Sequence, residues 1–184
     1  MARVAPACII GGIGLLTLLP LLPAAAAGTA AVEAGRSWAD EVAVRRVSLA
    51  RYWGGAWALG AGWRVRPLWA LSAGRLRPMA RVGTAKSAAV YQAGLRLLVR
   101  LLAARGPGPF LEAGTGPVYL TDDAVGDHKL GSRLQFRSHA GVGVLLGPGG
   151  HLELAYAYSH TSNAHLGWPN PGINFHTLRL GVAF

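Results

Sequence analysis

His160 and Ser162 stand two residues apart near the C-terminus, and Asn174 follows shortly after them. On an extended chain, residues i and i+2 share a face, so the imidazole and the hydroxyl point the same way. That pair suits ester hydrolysis. A serine hydroxyl becomes nucleophilic when a base takes its proton, and imidazole does so near neutral pH and returns the proton to the leaving alcohol. A third group should fix the imidazole tautomer, and backbone N–H groups should face the forming oxyanion. Asn174 is placed for the first task. The turn Asn163–Gly167 follows the serine and offers donors for the second, with the particular amides left open. A His-x-Ser pair by itself is common on ordinary surfaces. Its setting gives it weight.

The segment that carries it alternates. Leu152, Leu154, Tyr156 and Tyr158 share one face, which runs on into His160 and Ser162. Glu153, Ala155, Ala157, Ser159 and Thr161 form the other, polar or small face. A soluble β-protein hides a Leu/Tyr face in its core, whereas a membrane barrel turns it to lipid. Similar alternation predicts strands over 30–36, 42–53, 62–73, 88–102, 109–120, 132–146, 150–162 and 173–184. The chain is therefore expected to be all-β, an eight-stranded antiparallel transmembrane β-barrel, with strands long enough to cross a bilayer at a tilt. The connections Gly54–Ala61, Ala103–Gly108 and Gly147–Gly149 are short. Gly74–Ser87, Thr121–Gly131 and Asn163–Gly172 are longer and more polar, as outer loops are. The last strand, Thr177 to Phe184, ends on an aromatic residue.

With both termini at the periplasmic rim, His160, Ser162 and Asn174 fall at the upper end, facing outward into the outer leaflet as cross-strand neighbours. Barrels of this size are filled by side chains and form no pore. The inward set is read as Arg64, Arg66, Arg96, Arg100, Glu112, Arg133, Gln135, Arg137 and Glu153, with the two glutamates as structural acceptors for arginines. Arg75, Arg77, Arg81, Lys86 and Lys129 fall in the outer loops, at the height of lipid phosphates. Trp63, Trp69, Tyr91, Tyr156 and Tyr158 suit interfacial aromatic girdles.

Residues 1–27 read as a cleavable export signal: Arg3, an apolar run from Ile9 to Leu22, then alanines, with an uncleaved helical anchor as the rival that Pro20, Pro23 and the alanine tract disfavour. Residues 28–184 form the barrel domain. Cys8, the single cysteine, leaves with the signal, which excludes thiol chemistry from the mature chain. All but Arg3 of the 18 Lys+Arg, and all 8 Asp+Glu, lie after it. For an exported chain, this basic excess points to a phosphate-dense surface such as lipopolysaccharide, not to nucleic acid. His165 and His176 flank the pair, but no spacing gathers three or four metal ligands, and the chemistry needs neither metal nor cofactor. His128, His139 and His151 read as loop, interior and turn residues.

Tyr158-Ser-His160-Thr-Ser162-Asn163-Ala164, followed by Asn170-Pro171-Gly172-Ile173-Asn174, resembles the lipid A 3-O-deacylase (PagL-type) family, as do Phe110-Leu-Glu-Ala-Gly114 and Leu130-Gly-Ser-Arg-Leu-Gln-Phe136. The resemblance covers Phe110 to Phe184 well and the N-terminal half by pattern. It implies an outer-membrane barrel of the bacterial envelope that removes the 3-O-linked acyl chain of lipid A. By motif, Ser162 is the implied nucleophile and His160 the base. The family's triad has a glutamate where this chain has Asn174. Asparagine accepts an imidazole N–H bond but lacks the charge that stabilises imidazolium, so a slower enzyme is expected. The rivals are a non-catalytic barrel that stabilises the membrane or binds lipopolysaccharide, and a soluble lipid-binding barrel of lipocalin type. Acyl preference and oligomeric state stay open.

Overall fold

A computed structural model describes residues 27–39, 41–60, 62–79 and 88–184. The expected export signal, residues 1–27, lies outside the described residues but for Ala27, as do Arg81 and Lys86. Alternation is realised as eight long strands: β1 (Gly28–Ser37), β2 (Val42–Tyr52), β3 (Trp63–Pro78), β4 (Val90–Ala103), β5 (Pro109–Leu120), β6 (Leu134–Leu146), β7 (Leu152–Ser162) and β8 (Ile173–Ala183). Each pairs antiparallel with its sequence neighbours. β1 also pairs with β8, Thr29 opposite Ala183 and Arg36 opposite His176, so the sheet closes and leaves no edge. Two short ribbons decorate the ends. Trp57–Leu59 folds back on the start of β3, and Ala124–Val125 pairs with His128–Lys129 within the loop after β5.

The outer face is apolar: Leu97 is 58% exposed, Leu154 47% and Leu178 62%. Exposure of this size across a closed wall is what lipid contact requires of a barrel. The lumen holds the three strand glutamates, Glu33, Glu112 and Glu153, and the arginines that pair with them. Arg100 donates to Glu112 Oε2 from Nη2 at 2.6 Å and to Glu153 Oε2 from Nη1 at 2.8 Å. Arg179 reaches the other oxygens of both glutamates, each at 2.6 Å. His139 bridges Arg96 and Glu112. A guanidinium can only donate, so Nδ1 accepts from Arg96 at 3.0 Å and Nε2–H donates to Glu112 Oε1 at 2.7 Å. Arg46 pairs with Glu33 nearby. Apolar clusters close this polar belt at both ends. Val42, Val44, Leu76, Val118, Ile173 and Phe175 belong to the one beneath the β7–β8 loop, while Leu102, Phe110 and Ala155 pack toward the termini.

Several expectations need correction. Arg133 is exposed, because β6 begins at Leu134 and leaves it in the loop before the strand. Arg64 and Arg66 keep the inward parity of Leu68 and Ala70 but are only half-buried at the terminal rim, with the Arg66 guanidinium 3.9 Å above the Tyr52 ring. β3 runs to Pro78, past the expected end at residue 73. Gly74 and Leu76 continue its inward face, and β2 pairs with it along its whole length. Arg75 and Arg77 therefore stand on the outer wall, not in a loop.

Candidate active site

β7 delivers His160 and Ser162 to the rim opposite the termini, and β8 brings Asn174 down from the same rim. Ser159 and Thr161 are buried in the lumen, whereas His160 is exposed, so the imidazole projects outward as alternation requires. His160 and Asn174 are direct cross-strand partners. Their side chains meet, with His160 Nδ1 2.7 Å from Asn174 Oδ1. A carbonyl oxygen only accepts, so Nδ1 carries the proton and the Nε2 lone pair is left as a base.

The second edge of the ring rests on Gly172. A Cβ there would stand 2.6 Å from His160 Cε1 and 3.0 Å from Nε2, and the backbone has φ +66°. Both facts call for glycine. His128 Nε2 lies 3.0 Å from the Gly172 carbonyl oxygen, tying the loop after β5 to the floor of the site. Alternation assigned His128 only to a loop. Its contact comes from two loops meeting in space, and no local pattern announces that.

Ser162 ends β7, half-buried and opposite Phe136. Among the described residues no hydrogen bond joins its hydroxyl to His160. The loop beyond it is built around Asn163, which is fully buried. Its Nδ2 donates to the carbonyls of Leu130 at 2.8 Å, Gly167 at 2.9 Å and Pro169 at 3.2 Å. Its Oδ1 accepts from the His165 N–H at 2.9 Å. This bond network holds Ala164 and His165 at φ 50° and 65°, where non-glycine residues seldom sit. The Asn163 N–H already serves Asn170 Oδ1 at 2.9 Å, so it is not free to face an oxyanion. The Ala164 N–H has no acceptor among the described residues.

Other residues stand close by. Ser138 is the cross-strand partner of His160 on the other side, outward and exposed, its Oγ 3.3 Å from Thr115 Oγ1. In sequence it is one small polar residue on the apolar face of β6, and only its pairing with β7 brings it beside His160. His176 belongs to an aromatic group: its Nδ1 lies 2.6 Å from Tyr156 Oη, and Trp38 stacks on it at 5.1 Å. Asp122, Asp123 and Asp127 are exposed in the loop after β5, and none bonds to His160 among the described residues. No group of three or more His, Cys, Asp or Glu suited to a metal occurs among the described residues.

Two relatives are named lipid A deacylase PagL. The one from Bordetella bronchiseptica is 40% identical over 75 residues, 41% of this chain and 41% of its own length. The one from Pseudomonas aeruginosa is 39% identical over 70 residues, 38% of this chain and 39% of its own. The matched stretch thus spans about two fifths of each relative. The crystal structure of the outer membrane enzyme PagL superposes with a TM-score of 0.72, covering 85% of this chain and 99% of that one at 23% identity. The shared fold is the closed barrel. The family described as lipid A 3-O-deacylase (PagL) matches residues 41–183, most of the chain, and the chain belongs to that family.

Proposed function

We propose that this barrel is an outer-membrane esterase that removes the 3-O-linked acyl chain of lipid A, with Ser162 attacking, His160 as base and Asn174 orienting it. The observation that carries the reading is the outward His160–Asn174 pair at 2.7 Å, set at lipid level beside a serine and within a matching family. Ser162 Oγ adds to the acyl carbonyl carbon while His160 Nε2 takes its proton. The tetrahedral oxyanion collapses, the bond between the acyl carbon and the sugar oxygen breaks, and the imidazolium gives its proton to that departing oxygen, which leaves as the sugar hydroxyl. His160 then deprotonates water, which attacks the acyl-serine and releases a fatty acid. The Ala164 amide is the loop N–H best placed in sequence to face the oxyanion. A metal or cofactor has no part in this scheme.

The test is direct. Purified protein in detergent is given lipid A, and loss of one 3-linked acyl chain is followed by mass. Heat-modifiable gel migration reports that the barrel is folded. A folded barrel that leaves every acyl chain in place overturns the reading and favours a non-catalytic role.

Two further outcomes concern the base. Asn174 stabilises the tautomer but supplies no charge to the imidazolium. Asn174→Glu is therefore expected to leave kcat equal or raise it, by on the order of tenfold at this exposed site. A severe loss would show that the orienting role is misassigned. Gly172→Ala forces a methyl group against the imidazole edge and strains a left-handed backbone position. It is expected to lower kcat by about 10- to 100-fold with the barrel still folded, since small displacements of a catalytic group cost that much. Unchanged kcat would remove Gly172 as a positioning residue.

A further inference from the structure

Outward positions of the eight strands hold Arg36, Arg45, Arg51, Arg75 and Arg77, and no Asp or Glu. Arg51 sits toward the terminal rim, opposite Trp69. The other four gather at the rim that carries His160. Arg45 faces Arg75 directly across β2 and β3, and Ala43 alone separates Arg77 from Arg36 along the next row. Arg36 in turn faces His176, two residues from Asn174, or about 7 Å along the strand. All four are exposed, and none is hydrogen-bonded or ion-paired to a carboxylate among the described residues.

Like charges placed opposite each other repel, and guanidinium groups on a lipid-facing wall are costly. An anion between them removes both penalties. Arg45 and Arg75 also line a hollow of about 770 Å³ whose other walls include Val32, Ala34, Val47 and Leu178. Cations beside an apolar furrow match a molecule that carries phosphate on a head and hydrocarbon below it. Resting on the deacylase reading, we propose that Arg45, Arg75 and Arg77, with Arg36 at the edge, bind a phosphate of the glycolipid substrate itself. Two guanidinium forks facing one another grip a phosphate in fixed geometry, which a single lysine does not. That grip fixes where the sugar sits, and so which ester reaches Ser162. Arg36 lies 5.1 Å from the centroid of the Trp38 ring, which also stacks on His176, so the cluster continues to the residues beside the site.

The experiment compares lipid A with the same lipid after phosphate removal, in neutral-detergent micelles, with KM and kcat read by mass. For the wild type, phosphate removal is expected to raise KM about tenfold and change kcat less. In the Arg45→Gln/Arg75→Gln variant, the KM ratio between the two lipids is expected to fall to about one. Equal KM values in the wild type, or a ratio that survives in the variant, overturn the proposal. The wild-type comparison decides by itself if the variant does not fold. Anionic phospholipid added to the dephosphorylated lipid is expected to leave KM high; restored affinity would assign the patch to neighbouring lipids and overturn it. Ser162→Ala, expected silent on both lipids, keeps the two failures apart. Activity there takes the nucleophile role from Ser162, a folded wild type silent on both lipids sinks the esterase reading, and equal KM values sink only the phosphate subsite.

Discussion

Replacing either Ser162 or His160 with alanine is expected to lower deacylation by roughly ten-thousandfold or more, and combining the two is expected to cost nothing further. Base and nucleophile act as one unit: without the hydroxyl the base has no proton to take, and without the base the hydroxyl is a poor nucleophile. Residual turnover then comes from substrate positioning and oxyanion donors, which neither substitution touches. Ser138 makes the experiment discriminating, because it is the other outward hydroxyl beside His160, one strand away. Ser138→Ala is expected to keep activity within about threefold, since its hydroxyl faces Thr115 and no loop amides follow it. Acyl release is measured by mass under single-turnover conditions, on barrels shown to be folded. Activity lost in Ser138→Ala and kept in Ser162→Ala would move the nucleophile to β6. A double variant far below both singles would mean that the two groups act independently.

Parity made much of this architecture legible. A period of two assigns each residue to one face, and one buried face fixes the register of the next strand. That is why the outward turn of His160, the inward turn of Glu112 and Glu153, and the closure on Phe184 were readable from the chain. Parity does not say where a strand stops. Arg75 and Arg77 look like loop residues because Gly74 and the run of arginines resemble a turn. Pairing with β2 through Arg45 and Ala43 keeps them on the wall. Arg133 is the converse case, one residue before a strand it was expected to join. Contacts made by loops were hidden altogether. The backbone N–H of Asn163 follows the serine in sequence, but it serves Asn170, and the buried side-chain amide ties together Leu130, Gly167 and Pro169, three carbonyls from two loops. The weak alternation of β1 likewise obscured Glu33, and with it the partner of Arg46.

The largest stability effect is expected from Glu112→Ala. Glu112 is fully sequestered and accepts from Arg100, Arg179 and His139 at once. Its removal leaves Glu153 to serve both arginines and takes away the acceptor that orients His139. The lumen also holds Arg46, Arg96 and Arg137, with Glu33 as the remaining acid. Positive charge is thus already in excess there, and several guanidinium nitrogens have no partner among the described residues. Removing one member of a buried pair costs about 3–5 kcal/mol, because an uncompensated charge is left behind. Glu112→Gln keeps the shape and an acceptor oxygen, so its loss is expected to be smaller. Leu111→Ala, on the lipid face next door, is the control expected to cost least. The readout is the midpoint of heat-modifiable migration, compared across the three variants in the same detergent. A Glu112→Ala midpoint equal to that of the wild type would show that the lumen charges are solvated and do not brace the barrel. The fraction of Glu112→Gln that folds is expected to deacylate at near the wild-type rate. Its network lies inside the wall, and none of its bonds reaches His160, Ser162 or Asn174. A steep fall in kcat with the barrel folded would mean that the interior does communicate with the outer face. The separation of scaffold from chemistry would then fail.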